Sequence, residues 1–238
     1  MPIKLITLNI EGRKHLKRVI PFLEEENADV ICLQEVFERD YLEIKNKLNL
    51  NGSYSPMSNR TTPNKYYDQL FGKWGVCLLT KLKEFEIEEY YYRGKGDSPQ
   101  FHNIWSDDRV LVYGTFKKND KKYLIGTTHF CFTPDGQADN DQRKYFKKLI
   151  SFLKKFNNFI LAGDFNAPRG REIFTKFTKY FKDNLPKETT STLDTKYHQM
   201  KNLRLVVDTI FTKGTYSVEN IKLIKGLSDH KALVGKIN

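Results

Sequence analysis

Cysteine is scarce in this sequence: Cys32, Cys77 and Cys131 are the only three among 238 residues. They form no C-x-x-C pair and their number is odd, which excludes a zinc ribbon and a disulfide framework. Each lies in an apolar segment, where a free thiol behaves as a small buried hydrophobe. Also missing is any apolar run of the roughly 18 residues that cross a membrane as a helix. The opening Met1-Pro2-Ile3-Lys4-Leu5 carries no apolar stretch of the kind that directs secretion. A cytoplasmic protein without stable membrane association is expected. No internal repeat and no Pro/Ser/Gly-rich linker divides the chain, so a monomer built as one domain over residues 1–238 is expected.

With 39% hydrophobic and 29% charged residues, the composition excludes a disordered tail or a collagen-like fibre and suits a full two-layer core. Lys plus Arg number 40 against 29 Asp plus Glu, a formal charge of +11 that favours a polyanionic partner such as nucleic acid. Of the 40 bases 30 are lysine, a surplus that also serves solubility.

Ile3 to Asn9 and Asp29 to Gln34 read as short apolar strands. Between them Leu16, Val19, Ile20 and Leu23 recur at helical spacing within His15 to Glu26, so the chain opens as β-α-β. Gly75 to Lys81, Phe85 to Tyr92, Arg109 to Phe116 and Tyr123 to Phe130 follow as antiparallel strands rich in aromatic and β-branched residues. Asp139 to Phe156 is a helix with Phe146, Leu149, Ile150 and Leu153 on one face, leading into the strand Phe159 to Ala162. Leu205 to Thr212, Tyr216 to Ile224 and Lys231 to Ile237 are the closing strands. Asn51 to Gly72, with Pro56, Pro63 and several tyrosines, is expected to be a long surface loop. This alternation suggests two sheets packed together with helices outside.

Polar residues stand where these strands would leave the core. Asn9 and Glu11 follow the first strand, Gln34 and Glu35 the second, His129 the run from Leu124, and Asp164 and Asn166 the strand from Phe159. Asp229-His230 precedes the last strand. Rigid strand ends are where binding and catalytic groups gather. Asp208, inside Val206-Val207-Asp208-Thr209-Ile210-Phe211, would be costly to bury unless paired, and a histidine is its natural partner.

Taken in order, Thr7-Leu8-Asn9-Ile10-Glu11-Gly12, Leu33-Gln34-Glu35-Val36, Thr128-His129, Gly163-Asp164-Phe165-Asn166, Asp208 with Ile210-Phe211, and Ser228-Asp229-His230 resemble the endonuclease/exonuclease/phosphatase superfamily of divalent-metal phosphodiesterases. The resemblance implies an α/β fold, a four-layered sandwich of two mixed, mostly antiparallel sheets face to face with helices outside. It also implies Mg²⁺, with Mn²⁺ able to substitute, held by Glu35 with Asn9 and Asp229. His230 would pair with Asp208, Asp164 would orient or deprotonate water, and Asn166 and His129 would donate to phosphate oxygens. Arg109 would face phosphate, Glu11 would join the metal's surroundings, and Arg143 resembles a substrate-side residue. The residues alone do not divide proton transfer between Asp164 and His230.

The Thr-His pair is similar to the DNase-like and tyrosyl-DNA phosphodiesterase-like branches rather than to the abasic-site endonucleases. Aromatics interleaved with bases, Tyr54, Arg60, Lys65, Tyr66, Tyr67 and Trp74, then Tyr90-Tyr91-Tyr92-Arg93, suggest stacking platforms for single strands, with Tyr66 and Trp74 as substrate contacts. Tyr90 to Tyr92 could equally alternate across an ordinary strand. The expected activity is phosphodiester hydrolysis in nucleic acid, with DNA favoured. Removal of a 5′-tyrosyl adduct, hydrolysis of inositol or lipid phosphoesters, and a non-catalytic nucleic-acid-binding module are the alternatives.

Overall fold

A computed structural model describes residues 2–65 and 67–238. Ile3–Asn9 forms β1, and its apolar residues are buried on both faces, as a central strand requires. A 3-10 turn (Gly12–His15) leads into α1 (Leu16–Glu26), whose Leu16, Val19, Ile20 and Leu23 face inward, and β2 (Val30–Phe37) returns parallel to β1. The chain continues through α2 (Glu38–Lys47), β3 (Asn51–Arg60), β4 (Gly72–Thr80), β5 (Glu84–Arg93), β6 (Arg109–Lys118) and β7 (Lys121–His129). Next come α3 (Asn140–Leu153), β8 (Phe159–Asp164), α4 (Glu172–Phe177) and the two-residue β9 (Lys182–Asp183). The last strands are β10 (Asp208–Lys213), β11 (Val218–Ile224) and β12 (Ala232–Ile237).

The strands form two six-stranded sheets, ordered β11-β12-β1-β2-β4-β3 and β5-β6-β7-β8-β10-β9. Each is antiparallel except for one central parallel pair, β1 with β2 and β7 with β8. The core between the sheets joins Leu5, Val30, Cys32 and Val76 to Val112, Ile125, Ile160 and Ile210. A second apolar layer packs α1 and α2 on the first sheet through Val19, Leu23 and Ile44. A third, rich in aromatic rings, packs α3 and α4 on the second sheet through Phe146, Leu149, Phe174 and Phe177. The result is the four-layered α/β sandwich expected from the sequence.

Two local expectations differ from the structure, and one helix was not anticipated. Asn51 to Gly72 is not one loop, because β3 occupies its first ten residues. β3 is the outermost strand of its sheet, and its Pro56 sits beside a register shift between Pro56 and Ser58, where a missing N–H is tolerated. The helix α2 follows β2 without a break and buries only Asp40, Tyr41 and Ile44, too narrow a stripe to show as periodicity. Leu205 to Val207 lead into β10 rather than belonging to it. Their carbonyls instead accept from Thr192, Arg169 and Phe165 backbone N–H groups.

No helix among the described residues is long and apolar enough to cross a membrane.

Candidate active site

The two parallel pairs end at the same edge of the sandwich. In the first sheet Asn9 stands opposite Gln34; in the second His129 stands opposite Asp164, which also faces Asp208 across β10. The sheets are tied together there, since Asn9 Nδ2 donates to Asp164 Oδ2 at 3.1 Å and to Glu35 Oε1 at 3.0 Å. Gln34 Nε2, fully buried, crosses to Thr127 Oγ1 at 2.9 Å. Glu35 falls at the register shift between Gln34 and Val36 and adopts a left-handed φ of 57°, which lifts it out of the strand's alternation. Asn166 is also left-handed, with φ 48°, and its N–H donates to Asp164 Oδ1 at 2.8 Å.

Asp164 is 1% exposed, and its Oδ2 lies 3.4 Å from His129 Nε2 and 3.8 Å from His230 Nε2. Burial by itself would raise its pKa. The charge of His230, the bond and charge of His129 and the Asn166 N–H outweigh that, and hold the carboxyl well below the usual carboxylate range. His230 Nδ1 is bonded to Asp208 Oδ2 at 2.9 Å. Burial would discharge this imidazole, but Asp208, Asp164 and Asp229 surround it and raise its pKa well above the ordinary value. The expected pairing of His230 with Asp208 is therefore present in the geometry.

A second set of carboxylates lies on the other side of Asn9. Asp229 accepts from Ser228 Oγ at 2.9 Å and is pushed up to about 6, chiefly by burial. His230 opposes that rise, while the charges of Glu35 and Glu11 add to it. Glu11 accepts from Lys14 Nζ at 2.7 Å and meets His15 Nε2 at 2.8 Å. Those bonds overcome its own burial and lower its pKa. No Lys or Arg pairs with Glu35 or Asp229 among the described residues.

The floor formed by Glu35, Asp164, Asn166, Asp229 and His230 opens into a groove of about 540 Å³. Phe132, Met200, Leu203 and Leu205 supply an apolar wall, and among the described residues Arg171 is the only Lys or Arg lining the groove. Phe132 and Met200 are 41% and 55% exposed, so two of the seven exposed large hydrophobic residues among the described residues line this opening. The Met200 wall belongs to a long irregular segment fixed at its base. Thr192 Oγ1 accepts from the Val207 and Asp208 N–H groups, and Asp194 N donates to the Asp229 carbonyl at 2.7 Å.

Residues 6–230 match the Endonuclease/Exonuclease/phosphatase family. The chain belongs to that family. Among solved structures, an endonuclease/exonuclease/phosphatase from Bacteroides vulgatus superposes with a TM-score of 0.74 at 17% identity, covering 100% of this chain and 99% of that one. The catalytic domain of human nocturnin gives 0.72 at 17% identity, with 100% and 93% covered. A humanized D. rerio TDP2 gives 0.70 at 16% identity, with 100% and 99% covered. Likeness at these identities is likeness of fold. No curated protein matches the chain by sequence.

The endonuclease/exonuclease/phosphatase fold is generally hydrolytic and typically uses a divalent metal. Two donor sets in this member bear on the metal. Asp164, Asp208 and His230 each bring one donor atom within 4.8 Å of the others, a spacing that could hold an ion. The carboxylate charge there is already balanced in part by His230, whose pKa the surrounding aspartates raise. Glu35 and Asp229, by contrast, are hard oxygen donors that repel each other and that no Lys or Arg pairs with among the described residues, and this is the chemistry Mg²⁺ favours. That set fits the ion better. Asn9 Oδ1 accepts one hydrogen bond, from the Glu11 N–H at 3.1 Å, while its nitrogen joins Glu35 to Asp164.

Other residues of this family member take places that sequence reasoning did not assign. Asn166 Nδ2 is directed at His129 Nε2, 2.8 Å away, and at the Phe130 carbonyl. Arg109 was expected to face phosphate but is 2% exposed. It donates to the His129 carbonyl at 3.3 Å and pairs with Asp107 at 3.6 Å, a support behind the histidine. Trp74 was expected as a stacking platform but is 2% exposed, edge-on to His129 with centroids 5.5 Å apart. Arg143 grips Glu172 at 2.8 and 2.7 Å on the outside of α3, away from the groove. Tyr90 stacks on Phe152 with centroids 4.0 Å apart and Tyr92 is buried, as in an ordinary strand. Tyr66 lies outside the described residues. The groove wall and the buried Asp107 were not anticipated, since neither follows an apolar run that would announce a strand end.

Proposed function

We propose that this protein is a divalent-metal-dependent phosphodiester hydrolase acting on nucleic acid, DNA before RNA, at or near strand ends. The carrying observation is the line Asp208 Oδ2 to His230 Nδ1, 2.9 Å, and His230 Nε2 to Asp164 Oδ2, 3.8 Å. The 3.8 Å gap separates an acid from a base, and a reacting oxygen approaching between them would be within reach of both.

Asp164, kept ionised, accepts the proton of the attacking water on Oδ2 while Asn9 and the Asn166 N–H hold the carboxylate in place. Asp208 fixes the tautomer and orientation of His230, whose Nε2–H stabilises charge growing on the phosphate oxygens. Arg109 holds the His129 backbone from behind, so that ring and amide stay together at the phosphate side. Glu35 and Asp229 would hold the divalent ion, which supplies Lewis-acid polarisation and neutralises the phosphate charge. The net charge of +11 supports a polyanionic substrate. The groove, apolar on one wall and free of lysine, supports one organic unit entering it rather than a run of phosphates.

That same wall supports a second reading, hydrolysis of a small phosphoester that carries an apolar group, the 5′-tyrosyl adduct being one case. End-labelled single-stranded, duplex, abasic, RNA and 5′-phosphotyrosyl oligonucleotides, each with Mg²⁺, with EDTA, or with Asp164→Asn, separate the two. We expect Mg²⁺-dependent trimming of plain ends that the variant loses. Release of adducts alone selects the second reading, and an uncut panel overturns the first.

A further inference from the structure

Arg60 closes β3 opposite Gly72, just where residues 99–101 pair back onto the strand through Asn59 N to Pro99 O and Phe101 N to Asn59 O. Its guanidinium lies 3.6 Å from the centre of the Trp74 ring and 4.9 Å from those of Tyr67 and Phe101. Three aromatic rings thus hold it, and one of them, Trp74, packs on His129. Yet no hydrogen bond or ion pair of this side chain exists among the described residues, and Nε is buried without a partner. A guanidinium has five N–H donors in a fixed fork suited to phosphate. Stripping water from a cation without giving it an anion is unfavourable. The aromatic faces offset part of that cost and leave the edge donors unused. Burial lowers the group's pKa, and Asp107 and Glu35 are the acids nearest to act on it, but neither lies within bonding distance.

Arg60 is also not among the residues that line the apolar groove, and Trp74 links it to His129. We infer that Arg60 is a subsite for a second phosphate of the substrate, the one next to the scissile phosphate along a nucleic-acid strand. This rests on the phosphodiesterase reading above and deepens it. One organic unit occupies the lysine-free groove, the scissile phosphate sits at Asp164 and His230, and the following phosphate meets the Arg60 fork.

The test compares a substrate with one phosphorus, bis(4-nitrophenyl) phosphate, with a single-stranded decanucleotide, using wild type, Arg60→Met and Arg60→Lys in saturating Mg²⁺. For Arg60→Met we expect the ratio of kcat/KM on the decanucleotide to that on the single ester to fall about 10- to 100-fold, the scale of losing a hydrogen-bonded charge contact. The slope of log kcat/KM against log salt on the decanucleotide should drop by about 1. Arg60→Lys, which keeps the charge and loses the fork, should retain the salt slope and recover part of the ratio. Equal losses on both substrates, or none on either, overturn the subsite, the former assigning Arg60 to support of Trp74 and His129. If wild type cleaves the single ester but not the decanucleotide, the nucleic-acid strand is the wrong ligand. If it cleaves neither, the hydrolase reading itself fails.

Discussion

The molecule uses one parallel β-α-β unit in each sheet, β1-α1-β2 and β7-α3-β8, and the two units deliver opposite electrostatics to the same edge. The second ends in Asp164, buried between histidines and held well below the usual carboxylate range. The first ends in Glu35, half-buried, beside an Asp229 pushed up to about 6. Burial raises both aspartates, so it does not distinguish them. What does is the balance of neighbours: His230 and His129 with the Asn166 N–H around Asp164, against Glu35 and Glu11 facing Asp229. One end is preorganised as base and acid; the other is a set of like charges that a cation would complete. Asn9 stands between, its one amide nitrogen donating to Glu35 and to Asp164.

The largest effect should come from breaking the second unit's end. Asp164→Asn keeps the shape and removes the base, and we expect kcat to fall about a thousandfold while the Mg²⁺ concentration for half-maximal rate stays within about threefold. Glu35→Gln should do the reverse in kind, raising that Mg²⁺ concentration about 10- to 100-fold. A Mg²⁺ titration of both variants decides it, and a shift in Mg²⁺ requirement with Asp164→Asn would move the ion to the Asp164, Asp208 and His230 cluster instead.

Stability against pH sharpens the contrast. Asp229 binds a proton more readily folded than unfolded, so in EDTA it makes the protein more stable as pH falls from about 6 towards its ordinary value near 4. Asp164 has the opposite sign, contributing stability above its ordinary value that is lost as pH falls through it. His230, raised, contributes stability below about 6.5 that is lost as pH rises through its folded value. We therefore expect Asp229→Asn to raise the metal-free Tm at pH 7 by about 2–4 °C and to reduce the stabilisation by Mg²⁺. Melting curves from pH 4 to 8 with and without Mg²⁺ measure this, and an unchanged metal-free Tm would mean that Asp229 carries no excess charge.

These ends were legible in sequence because β1, β2, β7 and β8 are nearly continuous apolar runs, so a polar residue at their close stands out. Asn9, Glu35, His129, Asp164, Asp208, Asp229 and His230 could be listed together before any geometry was known, and the structure gathers them at one edge. What was hidden lies on elements without such runs. The edge strand β3, polar and carrying Pro56, read as a loop, and with it went the placement of Arg60. Burial on both faces of β4 makes Trp74 a packing residue, which composition alone does not distinguish from an exposed ring. The irregular segment before β10 makes a groove wall through backbone bonds of Thr192 and Asp194, which leave no periodic trace. Arg109 follows two aspartates, and the resemblance implied that it faces phosphate. Only the fold shows that it is buried with Asp107 behind His129.

The smallest effect separates two neighbours at the start of α3, the connector of the second unit. Gln142 is 1% exposed, and its Nε2 donates to the Cys131 carbonyl at 2.6 Å and to the Asn166 carbonyl at 3.3 Å, so it holds the loops on either side of Asp164. Arg143, one residue on, points outward to Glu172. Gln142→Ala removes the donor to one buried and one part-buried carbonyl, and we expect it to cost about 1–3 kcal/mol and several-fold in kcat. Arg143→Ala removes a solvent-exposed ion pair and should leave Tm and kcat/KM on an oligonucleotide unchanged within error. If Arg143→Ala instead weakens oligonucleotide cleavage tenfold at unchanged Tm, its guanidinium leaves Glu172 for substrate, and the outer face of α3 becomes part of the path along which the strand runs.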